Sequence, residues 1–359
     1  MIYVLGHSFE LGAWMTLMVC GVSSTAIASF SSKFLEMPVR TSGWMAVRPR
    51  QVALVGAGAS ALLAALVVPQ LGSVADRALL PTSAAALSAA AAGISDADLV
   101  AVKSDGGKAP QCLGSPIRDC IVTQGGPRTR RVLLVGDSHA RSLVPAVTAI
   151  AKDRGWTLAV ATGSGCPWHW GLLYPRAWGE QTDACRDTQN DWYRRLVPEF
   201  RPDIALLATY SFTDPVGTEV TRPADHSEQG LSQASLIDRA ARRSVAALRE
   251  TGAAVVLIDP LSVSTNGNPM TCLSKGRAIA DCAFTVTGEQ IPAERLYAKL
   301  AEPPSVVQVD LDGLACPRLP RCDSVIDGQV VRRDHNHVSA SFWLRHKAEL
   351  AQRLAVDGS

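Results

Sequence analysis

The chain has 359 residues, with 35 Lys and Arg against 33 Asp and Glu for a net charge of +2. That length exceeds one typical domain. Lys and Arg are spread thinly and form no basic stripe interleaved with aromatics, which excludes nucleic acid as the expected partner.

In chain order, the first elements are two apolar runs. Residues 11–30 are uncharged and about long enough to span a hydrocarbon core, and residues 52–69 form a second, slightly shorter run of Ala, Gly, Val and Leu. They read as two transmembrane helices. The alternative for the first is a signal peptide cleaved after Ala26-Ile27-Ala28, but no Lys or Arg precedes Lys33 to supply a cationic leader. Between the runs stand Lys33, Arg40, Arg48 and Arg50 against one acid, Glu36, which places the loop in the cytoplasm and everything after Pro69 outside.

Residues 70–110 read as a loosely packed linker, alanine-rich at 84–93 and polar and flexible at 104–110. Eight cysteines follow Gln111. An even count beyond a membrane argues for disulfides. Short loop closure favours neighbours: Cys112 with Cys120, Cys166 with Cys185, Cys272 with Cys282, and Cys316 with Cys322. Zinc binding by thiolates is the alternative, against which stand irregular spacings and the absence of any Cys-x-x-Cys. The ninth, Cys20, sits in the first apolar run and reads as a small buried hydrophobe.

From about residue 130, apolar runs at 132–135, 158–161, 204–208, 254–258 and 306–309 alternate with helical patterns at 142–154, 186–200, 231–250 and 339–354. That alternation predicts an α/β domain with a parallel sheet covered on both faces. The first run ends in Gly136-Asp137-Ser138, which presents Ser138 where a helix begins. Near the C-terminus, Asp334-His335-Asn336-His337 sets a carboxylate three residues before an imidazole. A serine becomes a nucleophile when a neutral imidazole takes its proton and a carboxylate holds that imidazole. Ser138, His337 and Asp334 therefore form a candidate triad. Gly-Asp-Ser also occurs as a plain helix-capping turn, and Asp334, His335 and His337 could instead hold a metal; no metal is assigned. The irregular stretches at 167–185, 213–230 and 262–288 are long for a compact domain. Trp168, Trp170, Tyr174 and Trp178 crowd the first, either as a satellite core or as a stacking surface for a sugar ring.

The order Gly136-Asp137-Ser138 early and Asp334-x-x-His337 late resembles the SGNH hydrolase superfamily. Gly163-Ser164-Gly165-Cys166-Pro167 is similar to the glycine block of SGNH domains fused to acyltransferase-3 membrane proteins, and Glu36-x-Pro38-x-Arg40 to the end of the last shared helix of those membrane domains. The resemblance implies a three-layer, flavodoxin-like SGNH domain over residues 111–359, outside the plasma membrane. It implies O-acyl transfer, most simply O-acetyl transfer, to a cell-surface glycan or glycolipid. Ser138 would be the nucleophile, and the oxyanion would meet the backbone N–H groups of Ser138 and Gly165, with Gly163 a second choice. The donor, acetyl-CoA, would be used indirectly through a membrane portion of which only the last helices are expected here, as a 5′-truncated gene model would give. Failing that, a separate membrane protein supplies the acyl group. The block after residue 208 reads Thr209-Tyr210-Ser211-Phe212, without the superfamily's oxyanion-hole asparagine. The fused domains often lack that residue too, so the departure weakens a generic esterase reading more than a fused acyltransferase one. Two rivals stand beside the leading reading, a surface carbohydrate esterase and, resting mainly on the missing asparagine, a non-catalytic glycan-binding ectodomain.

Overall fold

The computed structural model describes residues 94–173, 180–210, 222–223, 231–288 and 290–354. The two expected membrane spans with their basic loop, Cys20 and the alanine-rich stretch 84–93 lie outside them. Among the described residues no helix is long and apolar enough to cross a membrane.

A six-stranded sheet forms the centre. It comprises β1 (Ile121–Thr123), β2 (Arg131–Gly136), β3 (Thr157–Thr162), β4 (Ile204–Ala208), β5 (Ala254–Ile258) and β6 (Val306–Val309), in the order β1-β3-β2-β4-β5-β6. All pairings are parallel except that of β1 on β3. The five apolar runs read from sequence are the five parallel strands. The interiors of β2 to β5 are buried on both faces, as a parallel sheet covered by helices requires, while the edge strand β6 has Val307 and Gln308 only partly buried. Val132, Leu134, Leu158, Val160, Leu206 and Val256 face one layer. That layer consists of α2 (Ser138–Asp153), α6 (Ala340–Arg345) and α7 (Lys347–Arg353), with Phe342, Trp343 and Leu350 in its core. Leu133, Val135, Ala159, Leu207 and Leu257 face the other. It holds α3 (Glu180–Asp191) with its continuation to Phe200, α4 (Gln233–Glu250) and α5 (Pro292–Leu300), which contribute Trp192, Phe200, Leu248 and Tyr297.

The strand order is flavodoxin-like. The connection after β2 leads to β3 on one side, and the next returns to β4 on the other side of β2. That reversal opens a crevice at the carboxyl ends of β2 and β4, the place where open α/β sheets hold ligands. Gly136 pairs with Ala208 across that end. Its φ of 149° lies where side chains are strained, and a Cβ there would come within 1.7 Å of the Ala208 carbonyl oxygen. Only glycine lets the two strands close just before the serine.

Three expectations are corrected. The end of the linker is not loosely packed: α1 (Asp96–Lys103) starts with a Ser95–Asp98 capping box. Ile94 and Val102 are buried with Met270, Leu273 and Cys282. The stretch 262–288 is not irregular, since it holds the helix Pro269–Ser274, a 3-10 turn and a short strand. The C-terminal helix is broken at His346 into α6 and α7. All four neighbour disulfides are formed, Cys112–Cys120, Cys166–Cys185, Cys272–Cys282 and Cys316–Cys322.

Candidate active site

Asp137 is the N-cap of α2, its carboxylate accepting the His139 N–H at 2.8 Å. The other oxygen accepts from the Thr209 hydroxyl and the Tyr210 N–H, each at 2.8 Å. Asp137 therefore ties the end of β2 to the end of β4 and fixes the turn that carries Ser138. The Ser138 hydroxyl stands at the first position of α2, where helix N–H groups lack intrahelical partners and the helix dipole favours negative charge.

The loop after β6 brings the other two residues. Ser138 Oγ lies 2.8 Å from His337 Nε2, across 199 positions of sequence. His337 Nδ1 lies 2.8 Å from Asp334 Oδ2, while Asp334 Oδ1 accepts the backbone N–H groups of His337 at 2.7 Å and Asn336 at 3.0 Å. Burial pushes the Asp334 carboxyl upward, but the hydrogen bonds and charge of His337 outweigh it and hold the group well below the usual carboxylate range. An ionised Asp334 accepts a hydrogen bond from Nδ1–H, which keeps the proton on Nδ1 and leaves Nε2 to accept from Ser138.

Two further residues carry no signal that composition or spacing would reveal. His139 is buried, its ring 4.7 Å from that of His337 and 5.4 Å from Tyr210. Burial first, then the neighbouring His337, drive its pKa well down, so it flanks the site as a neutral ring. Arg332 is fully buried and donates to the carbonyls of Ser262 at 2.6 Å and Asn336 at 3.0 Å. It thereby anchors the Asp334–His337 turn to the loop after β5.

The glycine block forms a tight turn after β3, with Cys166 N–H donating to the Gly163 carbonyl at 3.0 Å and Gly165 in the left-handed region at φ 63°. Arg141 of α2 donates to Ser164 Oγ at 2.6 Å, joining this turn to the serine-bearing helix. Cys166–Cys185 fastens it to α3. In the block lacking asparagine, Thr209 has its hydroxyl engaged by Asp137, while Ser211 and Phe212 lie outside the described residues. Trp168 is fully buried and stacked on His169 at 3.7 Å, so it belongs to the core and offers no sugar platform. Trp170 is half-buried and stacked on Tyr193; Tyr174 and Trp178 lie outside the described residues. His335 does not join Asp334 and His337 in a metal cluster, and among the described residues no group of His, Cys, Asp and Glu is placed to hold an ion.

The family model of the SGNH domain (fused to AT3 domains) matches residues 103–352. No curated protein matches. The solved periplasmic domain of a lipopolysaccharide acetyltransferase from Salmonella ser. Paratyphi A is similar at a TM-score of 0.45 and 13% identity, covering 66% of this chain and 87% of its own. A putative acylhydrolase from Bacteroides fragilis reaches 0.36 and 13%, covering 65% of this chain and 90% of its own. An acetyl-xylooligosaccharide esterase from Geobacillus reaches 0.36 and 13%, covering 65% and 96%. None of the three is similar enough to carry a function across.

Proposed function

The chain belongs to the family described as SGNH domains fused to AT3 domains, and on that premise we propose that it is a membrane-anchored O-acyltransferase acting on a hydroxyl of a cell-surface glycan or glycolipid. The observation that carries this reading is the unbroken hydrogen-bonded chain from Ser138 through His337 to Asp334. A binding-only ectodomain has no need of that chain.

In the first half-reaction His337 Nε2 takes the Ser138 proton as Oγ bonds to the acyl carbon. The same proton then passes to the leaving group as the donor bond breaks, giving an acyl-Ser138 ester. In the second, His337 takes the acceptor hydroxyl's proton, the acceptor oxygen bonds to the acyl carbon, and the ester to Ser138 breaks with the proton returning to Oγ. Asp334 stays ionised throughout, holding the ring and stabilising the imidazolium between steps. The oxyanion meets the N–H of Ser138 at the start of α2 and that of Gly165. Acetyl-CoA is the ultimate donor, acting through a membrane portion rather than binding this domain. Four disulfides support a position outside the plasma membrane, in an oxidising compartment.

The full chain in detergent is tested with p-nitrophenyl acetate. Wild type should release nitrophenol and Ser138→Ala should not; equal turnover in the two would exclude Ser138 as nucleophile. Adding a glycan acceptor and weighing products separates transfer from hydrolysis, since acetylated acceptor should accumulate at the expense of free acetate. Acetate alone would make the protein an esterase.

A further inference from the structure

A groove of about 660 Å³ lies between the first half of α4 and α5. Arg239 and Arg242 of α4 line it with Arg295 and Lys299 of α5, and the one carboxylate in the lining is Asp238. Four cations less one anion leave three positive charges here, whereas the whole chain carries only +2. Asp238 is held by Arg242 through both oxygens, at 3.0 and 3.1 Å. The first half of α4 lines the groove and has no acidic residue in its first turn, so the dipole of that helix adds to the positive potential, while α5 lines it along its length and carries Glu294 in its first turn. The rest of the lining is largely apolar, including Leu231 and Leu296.

A run of packed side chains leads from the groove toward the serine site. Leu231 and Leu296 pack in one cluster with Tyr210, Tyr210 faces His139 at 5.4 Å, and His139 faces His337 at 4.7 Å. Both helices enter from the carboxyl end of the sheet, where Ser138 stands. We propose that this groove is a subsite for an acidic polysaccharide, a chain of uronate- or phosphate-bearing sugars laid between α4 and α5 with the acyl-accepting residue at Ser138. Guanidinium groups match carboxylate and phosphate geometry in pairs, and apolar walls suit the C–H faces of sugars. A bilayer surface carries the same anionic chemistry but is too broad to enter a cleft between two helices. The proposal deepens the acyl-transfer reading and rests on it.

The test uses the full chain in detergent with polygalacturonate as probe, dextran as its neutral counterpart and phosphatidylglycerol vesicles as the lipid counterpart. Polygalacturonate should bind, dextran should not, and raising salt from about 0.05 to about 0.5 M should weaken binding, since exposed charges are then screened. The double variant Arg239→Glu with Lys299→Glu should lose roughly tenfold or more in polymer affinity. Its p-nitrophenyl acetate turnover should stay within about twofold of wild type, because that small ester does not reach the groove. Arg239→Gln with Lys299→Gln should fall between. Equal binding of dextran, undiminished binding by the charge-reversed variant, or displacement of the polymer by the vesicles overturns the proposal. Polymer binding without any ester turnover in wild type would instead sink the acyl-transfer reading and leave the groove's ligand standing.

Discussion

Asp334 does two things within one turn. It accepts two backbone N–H groups that shape the loop and one ring N–H that fixes the tautomer of His337. Asp334→Asn retains an acceptor for the backbone but offers the ring no carboxylate. Its kcat should drop by roughly a hundredfold or more while Tm moves little. His337→Ala should be as damaging as Ser138→Ala, and the pair should cost hardly more than either alone, because residues acting as a unit are non-additive. Losses that multiply in the double variant would argue against a shared proton path. At Gly136 the constraint is steric: a methyl group 1.7 Å from the Ala208 carbonyl oxygen must push β2 off β4 or turn the Ser138 peptide. Gly136→Ala should therefore cut turnover far more than a surface Gly→Ala, and a crystal structure should show Ser138 displaced from His337.

Away from the triad, Asp259 is a buried acid whose pKa is raised to about 7, by burial first and then by Glu294, Asp310 and Asp312. Its folded value exceeds the unfolded one of about 4, so the folded state holds the extra proton. Stability from this group is present below about pH 4 and is lost as pH rises through about 7. Asp259→Asn keeps an acceptor for the Gln308 amide, 2.7 Å away, and removes the charge. The variant and wild type should melt alike at pH 4, with the variant ahead by about 4 kcal/mol at pH 8. A constant offset across that range would show that the carboxyl is not titrating there.

At the scale of elements, the start of α6 depends on a residue far away in sequence. Ser339, its N-cap, donates its hydroxyl to the Val330 carbonyl and caps nothing. Asp105 supplies the cap instead, its carboxylate accepting the Ser341 N–H at 2.7 Å and its carbonyl the Ala340 N–H at 3.1 Å. Because α6 begins three residues after His337, the segment leading into the domain bears on the position of His337 as well as on the fold. Asp105→Ala should cost about 1 kcal/mol, the usual effect of losing a cap, and chemical denaturation of the variant measures it. Cys166–Cys185 is the corresponding tie for the glycine turn. Closing a loop of 19 residues contributes roughly 3 kcal/mol. Cys166→Ser with Cys185→Ser should lose activity at temperatures where far-ultraviolet circular dichroism still reports a folded domain, since the turn that holds Gly165 loosens before the sheet melts. Simultaneous loss of both signals would make the bridge purely a matter of global stability.

For the whole molecule, the expected topology rests on Lys33, Arg40, Arg48 and Arg50 holding the inter-helix loop inside. A phosphatase reporter fused after Ser359 should be active and a cytoplasmic reporter at the same point silent. The reverse would leave the eight cysteines in a reducing compartment and the acyl-transfer reading without its outward-facing acceptor.

The sequence by itself determined the five parallel strands, because unbroken apolar runs of four or five residues between turns have few other places to go than a sheet covered on both faces. It determined the serine at the end of the first strand and the Asp-x-x-His turn as well, because their geometry is local. Neighbouring cysteines paired as short loops favour. Short elements were not legible: β1 has three residues, only one of them buried, and α5 shows its apolar stripe, Ala293, Tyr297 and Leu300, only once its neighbours are known. Only the tertiary structure decided that Ser138 and His337 meet, that Trp168 is core, that Asp105 caps α6, and that Arg332 anchors the Asp334–His337 turn. Each is a contact between residues tens to hundreds of positions apart, and such contacts are set by which strand lies beside which. Hydrophobic pattern says that a strand is buried but not beside what, so strand order, and with it the assembly of the site, belongs to the packed sheet alone.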